Sequence, residues 1–419
     1  MKDSVFALID CNNFFVSCER VFAPKLEKKA VVVLSSNDGC AIARSNEAKD
    51  LGIEMGAPFF KFRSSYQQGK IEILSSNFQL YADMSNRVME AIRSSCSYME
   101  IYSIDEAFLD LKRAGITNHI EFSREVKDKI KQWTGIPVSI GIAPSKTLAK
   151  LASNLAKKTS GVYSLLEEIQ LQEVLKNTPI ESIWGIGKQT SIKLRLLGIG
   201  TAKELNDVDL NFIRKNFSVS TEKIVHELRG TSCIDLKAAG HNKTIIASRS
   251  FAKDVMEIEK LEEALSNYVS SACVKLRKQL LRATALNISL STNKFILSRP
   301  QYKNEQQLNF TYPTNNTTEI IQYAKIALRQ IYQLGFHYHK VGVTLLGLES
   351  TAWQQIQIFN SNDYTKSDKL MSTIDKINKS MGRNSVFIAA QGTENTWKNL
   401  SQNKSPEYTT NWNELPKVL

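Results

Sequence analysis

The stretch IYSIDEAFLD, residues 101–110, decides the interpretation of this 419-residue sequence. Two adjacent carboxylates, Asp105 and Glu106, stand at a turn between short apolar segments that are typical of β-strands. A third acid, Asp10, ends another such segment, residues 5–9. Strands hold their side chains stiffly, and hard divalent cations prefer carboxylate oxygens as ligands. Three acids at strand ends therefore predict a two-metal site for phosphoryl transfer.

Adjacent acids also have a simpler explanation. Such pairs occur at residues 167–168 and 262–263, where a solvated helix surface accounts for them. A lone Asp-Glu pair is more often solvated than catalytic. Asp105 and Glu106, however, lie at the end of an apolar segment. A side chain there meets solvent beside a rigid scaffold, and this favours the metal site.

Composition limits the class of protein. The hydrophobic content of 42% is ordinary for a globular protein, and the length is enough for about three domains. No apolar segment approaches the ~18 residues of a membrane span, and the N-terminus does not resemble a signal peptide. The six cysteines show no CxxC spacing, which is typical of reduced thiols. We therefore expect a multidomain cytoplasmic protein that does not cross a membrane.

The positive charge is concentrated in two regions. The formal net charge is +12 and the sequence pI is about 9.2. Residues 141–161 contain four lysines and no acid, and residues 264–304 contain seven Lys or Arg residues and no acid. Lys275, Arg277 and Lys278 belong to the second region. Because a solvated helix face usually mixes both signs, these regions predict a surface that binds a nucleic acid.

The hydrophobic pattern divides the chain into successive regions. Up to about residue 165 it predicts the order β…α-β-β-α-β-α, an α+β arrangement of helices packed on a sheet. Residues 165–230 have an all-helical pattern. Residues 244–348 have the pattern β-α-β-β-α-β and include the most basic region. The last 70 or so residues are polar, and we expect them to be partly disordered.

Two glycine-containing turns occur in the helical region. The first comprises Gly185, Gly187 and Lys188, and the second is LGIGT at residues 197–201. Such turns resemble a helix-hairpin-helix, in which glycine lets backbone N–H groups approach a phosphate closely. A plain helix-helix turn with glycine caps is the alternative. Two turns flanked by lysine favour contact with a DNA backbone.

Further motifs follow one another in a fixed order. They are IDCNNFF (9–15) with Cys18 and Glu19, SNDGCAIAR (36–44), LYADMS (80–85), YSIDEAF (102–108), TLAKLA (147–152) and WGIG (184–187). Together they resemble the Y-family of translesion DNA polymerases, in particular the UmuC type, which is the catalytic subunit of bacterial DNA polymerase V. The resemblance covers essentially the whole chain.

The resemblance implies a multidomain α+β fold with the arrangement of a right hand. The implied domains are a palm (1–20 and 75–165), small fingers (21–74), a helix-hairpin-helix-like thumb (166–235), a linker (236–243), a β-α-β-β-α-β little finger (244–348) and a C-terminal tail (349–419).

The resemblance also implies the catalytic residues. Asp10, Asp105 and Glu106 would hold two Mg²⁺ ions, with the backbone carbonyl of Cys11 as a further ligand. Gly185, Gly187 and Lys188 of the thumb and Lys275, Arg277 and Lys278 of the little finger would bind the primer-template DNA.

The implied nucleotide-binding residues are Phe14, Phe15, Arg44, Asn46, Lys49 and Lys157. Phe15 corresponds to the family's sugar-facing aromatic residue, the steric gate that favours deoxynucleotides, although core packing is the alternative for both phenylalanines. Many members hold the triphosphate with a Tyr and an Arg. Asn46 and Lys49 take these positions here, so the bidentate Arg fork is absent and Arg44 could compensate for it.

Three lysines follow in the TLAKLA region. Lys157 corresponds to the family's palm lysine on the triphosphate, whereas Lys150 and Lys158 are expected to be surface or template contacts.

Several partners are implied as well. Gln355, Ile358 and Phe359 resemble the peptide that binds the bacterial sliding clamp, with two apolar side chains for a pocket and a polar tail as the tether. The UmuC type further implies a processed UmuD dimer and a RecA filament as partners.

We therefore expect a template-directed, Mg²⁺-dependent DNA polymerase that performs error-prone translesion synthesis in the SOS response. A non-catalytic DNA-repair scaffold is one alternative, but a scaffold does not require three mutually repelling acids. A palm-like nucleotidyl cyclase or another NTP enzyme is a second alternative, but such an enzyme does not require a DNA-binding surface.

Overall fold

The strand Phe6–Cys11, β1, is the central strand of the first sheet, and all six of its residues are buried. The computed structural model describes residues 4–236, 242–352, 364–382, 384–393 and 400–415. Up to residue 164 the strands and helices are β1, α1 (Phe14–Phe22), β2 (Val31–Leu34), β3 (Ala41–Arg44), α2 (Asn46–Asp50), α3 (Arg63–Gln67), β4 (Glu72–Ser75), α4 (Phe78–Arg93), β5 (Met99–Ile101), β6 (Glu106–Asp110), α5 (His119–Thr134), β7 (Val138–Ala143), α6 (Lys146–Ala156) and β8 (Val162–Ser164).

The first sheet has the strand order β5-β6-β1-β7-β8 and is covered by helices on both faces. Ala7 and Ile9 of β1 pack in the core that contains residues of α4 and α5. Phe6 and Leu8 pack in a second core, which contains residues of α6. Because successive side chains of a strand alternate between faces, Asp10 projects on the same side as Leu8, toward α6.

Gly141 of β7 sets the distance between α6 and this sheet. A Cβ atom at this position would lie 2.0 Å from the Ser153 backbone N and 2.4 Å from the Ala149 backbone O. Only a residue without a side chain therefore allows the helix to pack this closely. As a result, lysines on α6 reach the strand ends that carry the acids.

A second sheet has the order β3-β2-β4. Strands β2 and β4 are parallel, and β2 is buried throughout. Helix α2 begins at Asn46, where the Ser45 side chain accepts a hydrogen bond from the Ala48 backbone N–H. The chain turns at Gly52, just after this helix, with a φ of +77°.

Residues 165–230 are helical, as predicted. The helices are α7 (Glu168–Asn177), α8 (Lys188–Leu196), α9 (Ala202–Asp207), α10 (Leu210–Asn216) and α11 (Val219–Leu228). Glu227 of α11 is buried and accepts hydrogen bonds from the Thr147, Cys233 and Ile234 backbone N–H groups at 3.0, 2.6 and 3.2 Å. One carboxylate therefore joins this helical region to the first turn of α6.

The chain divides into two units, residues 1–239 with 402–419, and residues 240–401. The second unit has the predicted order β-α-β-β-α-β. Its elements are β9 (Ile245–Val255), α12 (Ile258–Lys278), β10 (Leu281–Thr292), β11 (Lys303–Thr314), α13 (Thr317–Ile331), β12 (Tyr338–Leu346), β13 (Glu349–Ser350) and α14 (Tyr364–Ser380). Its main sheet has the order β11-β10-β12-β9, and its core contains buried residues of α12 and α13.

Parts of the C-terminal region are described, and these make contacts with both units of the chain or belong to them. Helix α14 is held to the second unit by ion pairs from Arg277 to Asp375 and from Arg282 to Asp368. Residues 402–415 belong to the first unit. Contacts between residues far apart in the chain hold these segments, including the burial of Met371 and the stacking of Tyr408 on Phe22, and local hydrophobic periodicity does not report such contacts. Among the described residues, none of the helices has the length and apolarity needed to cross a membrane.

Candidate active site and nucleic-acid surfaces

Two of the three predicted catalytic acids are neighbours across a strand pair. In the antiparallel register of β1 and β6, Asp10 lies opposite Glu106. Both side chains project toward α6, because Leu8 and Phe108 on the same strands pack in the core that contains α6. The strand register therefore brings two carboxylates together where the end of β1 lies beside the start of β6.

The third acid lies on the turn before β6. The Asp105 backbone O accepts a hydrogen bond from the Cys11 N–H at 2.9 Å, which joins this turn to the end of β1. The Asp105 carboxylate accepts a hydrogen bond from Ser103 Oγ at 2.6 Å. Burial, together with the charges of Asp105 and Asp10, raises the pKa of the Cys11 thiol, so this thiol lies among the acids in its neutral form.

The carboxylate of Glu106 is destabilised by its surroundings. Burial and the neighbouring Asp10 raise its pKa to about 7, although Lys150 acts in the opposite direction. Lys150 Nζ bonds both carboxylate oxygens of Glu106, and Lys157 Nζ lies 2.8 Å from Asp10 Oδ2. Each acid is therefore paired with its own lysine.

Lys150, which was expected to be a surface or template contact, is partly buried and pairs with Glu106. Lys150 of α6 and Lys157, the residue that follows the helix, are seven residues apart, which is close to two helical turns, so both lie on one side. This spacing could have indicated their shared position. Lys158 is exposed.

The donor set fits a hard divalent cation in its chemistry, because its side-chain donors are carboxylate oxygens. In this structure, however, Glu106 and Asp10 form ion pairs with Lys150 and Lys157. Within the described parts of the chain, no group of three or more His, Cys, Asp or Glu side chains is arranged to hold a metal ion. The lysines occupy the two adjacent carboxylates, and Asp105 is bonded to Ser103. Metal binding by Asp10, Asp105, Glu106 and Cys11 remains a prediction.

The two adjacent phenylalanines have different surroundings. Phe14 is buried in the first core, so the alternative of ordinary packing describes it. Phe15 is only partly buried, and its ring stacks on Tyr81 with a centroid distance of 4.4 Å and an interplanar angle of 13°. Phe78 meets the Phe15 ring edge-on at 6.0 Å. Of the two residues, only Phe15 is placed to face a ligand.

A second group of cations stands near the acids. Lys49 Nζ donates to Asn13 Oδ1 at 2.6 Å and to Asn46 Oδ1 at 3.2 Å. Partial burial and the positive charges of Arg44 and Lys157 lower the pKa of Lys49. Lys49 therefore lies close enough to Arg44 and Lys157 to be affected by their positive charges.

Sequence reasoning missed Asn13. Its backbone is left-handed, with a φ of 47°, and its side chain donates to Asn46 and accepts from Lys49. Asparagine tolerates this conformation better than most residues, which is the one signal in the sequence. Arg44 donates to the Ile53 backbone O at 2.5 Å, so part of its guanidinium is already used in the fold.

Comparisons with known proteins identify the family of this chain. Residues 9–154 match the impB/mucB/samB family, and residues 242–358 match the C-terminal domain of that family. Protein UmuC of Salmonella typhimurium is 39% identical over 99% of this chain and 100% of that protein. The chain belongs to the impB/mucB/samB family. It is a UmuC-type member of the Y-family of DNA polymerases.

Two further comparisons extend this result. Protein ImpB of Salmonella typhimurium is 39% identical over 98% of this chain and 99% of that protein. A solved structure described as "Y-family DNA polymerase chimera Dbh-Dpo4(243-245)-Dbh" has a TM-score of 0.70 at 20% identity and covers 83% of this chain and 99% of that chain. It confirms the predicted fold. Residues 368–418 match a domain of unknown function, DUF4113.

The two glycine turns of this impB/mucB/samB family member differ. Gly185 has a φ of +93°, and a Cβ atom there would lie 2.7 Å from Ile224 Cδ1, so this turn requires glycine. Gly187 and Lys188 are exposed, and Gly187 caps α8 without a side-chain hydrogen bond. In the second turn, the N–H groups of residues 200 and 201 donate to Glu204. These two N–H groups of the second turn are therefore already bonded within the protein.

The basic residues of α12 also differ. Lys275 and Lys278 are exposed. Arg277 is 11% exposed at its side chain, and its guanidinium donates to Asp375 at 2.7 and 2.9 Å and to the Asn315 backbone O at 2.8 Å. These bonds argue against Arg277 as a DNA contact. The predicted clamp-binding residues Gln355, Ile358 and Phe359 lie outside the described residues.

Proposed function

We propose that this chain joins deoxynucleotides to a primer at the strand ends of the first sheet where Asp10 of β1 lies opposite Glu106 of β6. Its family relationship makes it a DNA-directed DNA polymerase that carries out translesion synthesis in the response to DNA damage. The observation that carries the assignment of the site is the register of β1 and β6, which places two carboxylates opposite each other beside the cations of α6.

The catalytic assignment gives each acid a role. Asp10, Asp105 and Glu106, with the Cys11 carbonyl, would hold two Mg²⁺ ions. When bound, these ions lower the pKa of the primer 3′-hydroxyl and hold the triphosphate and the leaving pyrophosphate. Lys150 and Lys157 balance the charge of the acids in the present arrangement, so metal binding requires these lysines to give up part of their contacts.

The cations and Phe15 form the proposed nucleotide site. Lys49, Lys157 and Arg44 would neutralise the triphosphate. A lysine is a point charge and cannot bind a phosphate with the two parallel hydrogen bonds that an arginine offers. Instead, hydrogen bonds to Asn13 and Asn46 fix the position of the Lys49 ammonium group. The Phe15 ring would collide with a 2′-hydroxyl and so favour deoxynucleotides.

Tolerance of damaged templates is attributed to small side chains. Gly39 is exposed, and Cys40 and Ile42 are partly exposed at the start of β3. Little side-chain bulk over the nascent base pair leaves room for a distorted base. The same room weakens discrimination between correct and incorrect pairs, which gives error-prone synthesis.

The DNA-binding assignment rests on exposed cations in each unit. Gly187 and Lys188 would contact the backbone from the first unit. Lys275 and Lys278 would do so from the second unit. Such contacts position DNA without reading its sequence, as a polymerase that copies any template requires.

The proposed partners are primer-template DNA, dNTPs, a processed UmuD dimer, a RecA filament and the sliding clamp. The double variant Ile358→Ala, Phe359→Ala tests the clamp assignment. If it binds the clamp with the same affinity as the unmodified chain, the assignment is wrong. The six cysteines are free thiols, which supports a cytoplasmic location.

The experiment that tests the site is primer extension with Mg²⁺ and dNTPs across an abasic template position. The unmodified chain is compared with Asp105→Ala and with Asp128→Ala, an exposed acid on α5 that serves as the matched control. UmuD-type and RecA partners are added if the chain alone gives no extension. We expect extension past the lesion in the unmodified chain and the control, and none with Asp105→Ala. Binding of primer-template without any incorporation, even with partners, would favour the scaffold alternative.

A further inference from the structure

The C-terminal segment 402–408 lies beside the end of β4 and forms an isolated parallel bridge between Lys404 and Ser75. The Ser75 backbone N–H at the end of β4 donates to the Asn403 backbone O at 2.9 Å, and the Asn403 N–H donates to Ser75 Oγ at 3.0 Å. The Gln402 N–H donates to Asp38 Oδ2 at 3.0 Å. Main-chain pairing therefore fixes the path of this segment.

The helix α4 is tied to the same segment at its first turn. Asn77 is buried, and its Oδ1 accepts a hydrogen bond from the Leu80 backbone N–H as the cap of α4. The Asn77 Nδ2 group donates to Ser405 Oγ at 3.0 Å and to the Pro406 backbone O at 3.1 Å. Tyr408 stacks on Phe22 of α1 at 4.9 Å. The segment thus contacts α1, which carries the predicted gate residue Phe15, and the N-terminal end of α4, which carries Tyr81.

A buried carboxylate connects the segment to Tyr81. Glu19 of α1 is 1% exposed, and burial raises its pKa. Its Oε1 accepts hydrogen bonds from Tyr81 Oη at 2.7 Å and from Ser405 Oγ at 3.1 Å. Within the part of the chain that the structure describes, Glu19 forms no ion pair, so these two hydroxyls are its polar support.

Tyr81 in turn supports Phe15. The two rings are nearly parallel, with centroids 4.4 Å apart. Parallel stacking limits the directions in which the partly exposed Phe15 ring can tilt. A continuous path of contacts therefore leads from Ser405 through Glu19 and Tyr81 to Phe15.

We propose that segment 402–408 positions the Phe15 ring for sugar selection, with Ser405 and Glu19 as positioning residues. This inference rests on the proposed function, in which Phe15 excludes the 2′-hydroxyl. When the Ser405 hydroxyl is absent, the Glu19 carboxylate loses one of its two donors and holds Tyr81 less firmly. The gate ring then samples more orientations, and ribonucleotides are accepted more often.

The test compares kcat/KM for a dNTP with kcat/KM for the matching rNTP on an undamaged primer-template. Misfolding or a smaller active fraction lowers both values equally and cancels in their ratio, so the ratio reports on positioning. Ser405→Ala should lower the preference for dNTP roughly three- to tenfold. The control Thr410→Ala removes an exposed hydroxyl from the same C-terminal region and should leave the ratio unchanged.

A second variant tests the path of contacts. Tyr81→Phe retains the stacked ring and removes the hydrogen bond to Glu19. If Ser405 acts through this bond, adding Ser405→Ala to Tyr81→Phe should not lower the ratio further. Independent, multiplicative effects of the two changes would overturn the inference.

Phe15→Ala separates this inference from the proposed function. A large loss of selection in Phe15→Ala with an unchanged ratio in Ser405→Ala would overturn the inference alone. Unchanged selection in Phe15→Ala would remove the gate role, and the inference with it. Loss of selection in both variants supports both statements.

Discussion

Lys157 Nζ lies 2.8 Å from Asp10 Oδ2, and the lysine side chain is 38% exposed whereas the aspartate side chain is 7% exposed. One end of this pair therefore reaches solvent, where a triphosphate could approach, and the other end lies in the interior. The pair joins the residue that directly follows α6 to the end of β1.

Lys157→Ala should weaken nucleotide binding more than the chemical step. The lysine would contact the triphosphate in the bound substrate and in the transition state alike, so its loss raises KM for dNTP about tenfold with a smaller change in kcat. Steady-state primer extension measures both constants. The exposed neighbour serves as control, and Lys158→Ala should leave both constants unchanged. An equal rise in KM in the two variants would contradict the assignment.

Gly141→Ala should destabilise the first unit, because the added methyl group would lie 2.0 Å from the Ser153 backbone N. Forcing α6 away from β7 costs about 1–3 kcal/mol. The melting temperature of the full chain should fall accordingly. Gly200→Ala is the control, since the nearest atom to its added methyl would be Glu204 Oε2 at 3.7 Å. A melting temperature unchanged by Gly141→Ala would show that this approach is not required.

Glu227→Gln should also lower stability. The carboxylate accepts three backbone N–H groups, from Thr147, Cys233 and Ile234. An amide has only one accepting oxygen, so at least one buried N–H would face an NH₂ group, at a cost of about 1–3 kcal/mol. Urea denaturation measures the free energy of unfolding. The exposed Glu125 provides the control variant Glu125→Gln, and equal stability of both variants would argue against this role.

Lys188→Ala should reduce the salt dependence of DNA binding. Each phosphate contact by a cation releases about one counterion, so the slope of log K against log salt should become shallower by about 1. Fluorescence anisotropy with a labelled primer-template measures this slope. Lys203→Ala is a control within the same helical region, because Lys203 is paired with Asp207 at 2.7 Å. If both slopes change equally, the first glycine turn is not the contact.

Arg277→Ala should change stability and leave the DNA-binding slope unchanged. The guanidinium is bonded to Asp375, the Asn315 backbone O and Thr317 Oγ1, and its loss leaves these acceptors without a donor, at about 1–3 kcal/mol. Thermal unfolding and the anisotropy titration are measured on the same full-length preparations. Lys278→Ala is expected to behave in the opposite way. A shallower slope in Arg277→Ala would restore its assignment to DNA.

Local sequence determined much of the fold. The strand-like segment at residues 5–9 lies in β1, residues 165–230 are helical, and the order β-α-β-β-α-β describes the second unit. These elements depend on the spacing of apolar residues along short segments, which the sequence displays directly. The order of motifs also indicated the family, because each motif is read within a few consecutive residues.

The sequence by itself thus indicated the order of many elements and the family, and it predicted Asp10, Asp105 and Glu106 as the catalytic acids. Only the tertiary structure decided which side chains meet. In this structure Lys150 pairs with Glu106, Arg277 pairs with Asp375, and Ser405 donates a hydrogen bond to Glu19. The last pair is separated by 386 positions in the chain. A hydrogen bond between distant residues depends on the register of strands and the packing of helices, and no periodic pattern within a single segment records it.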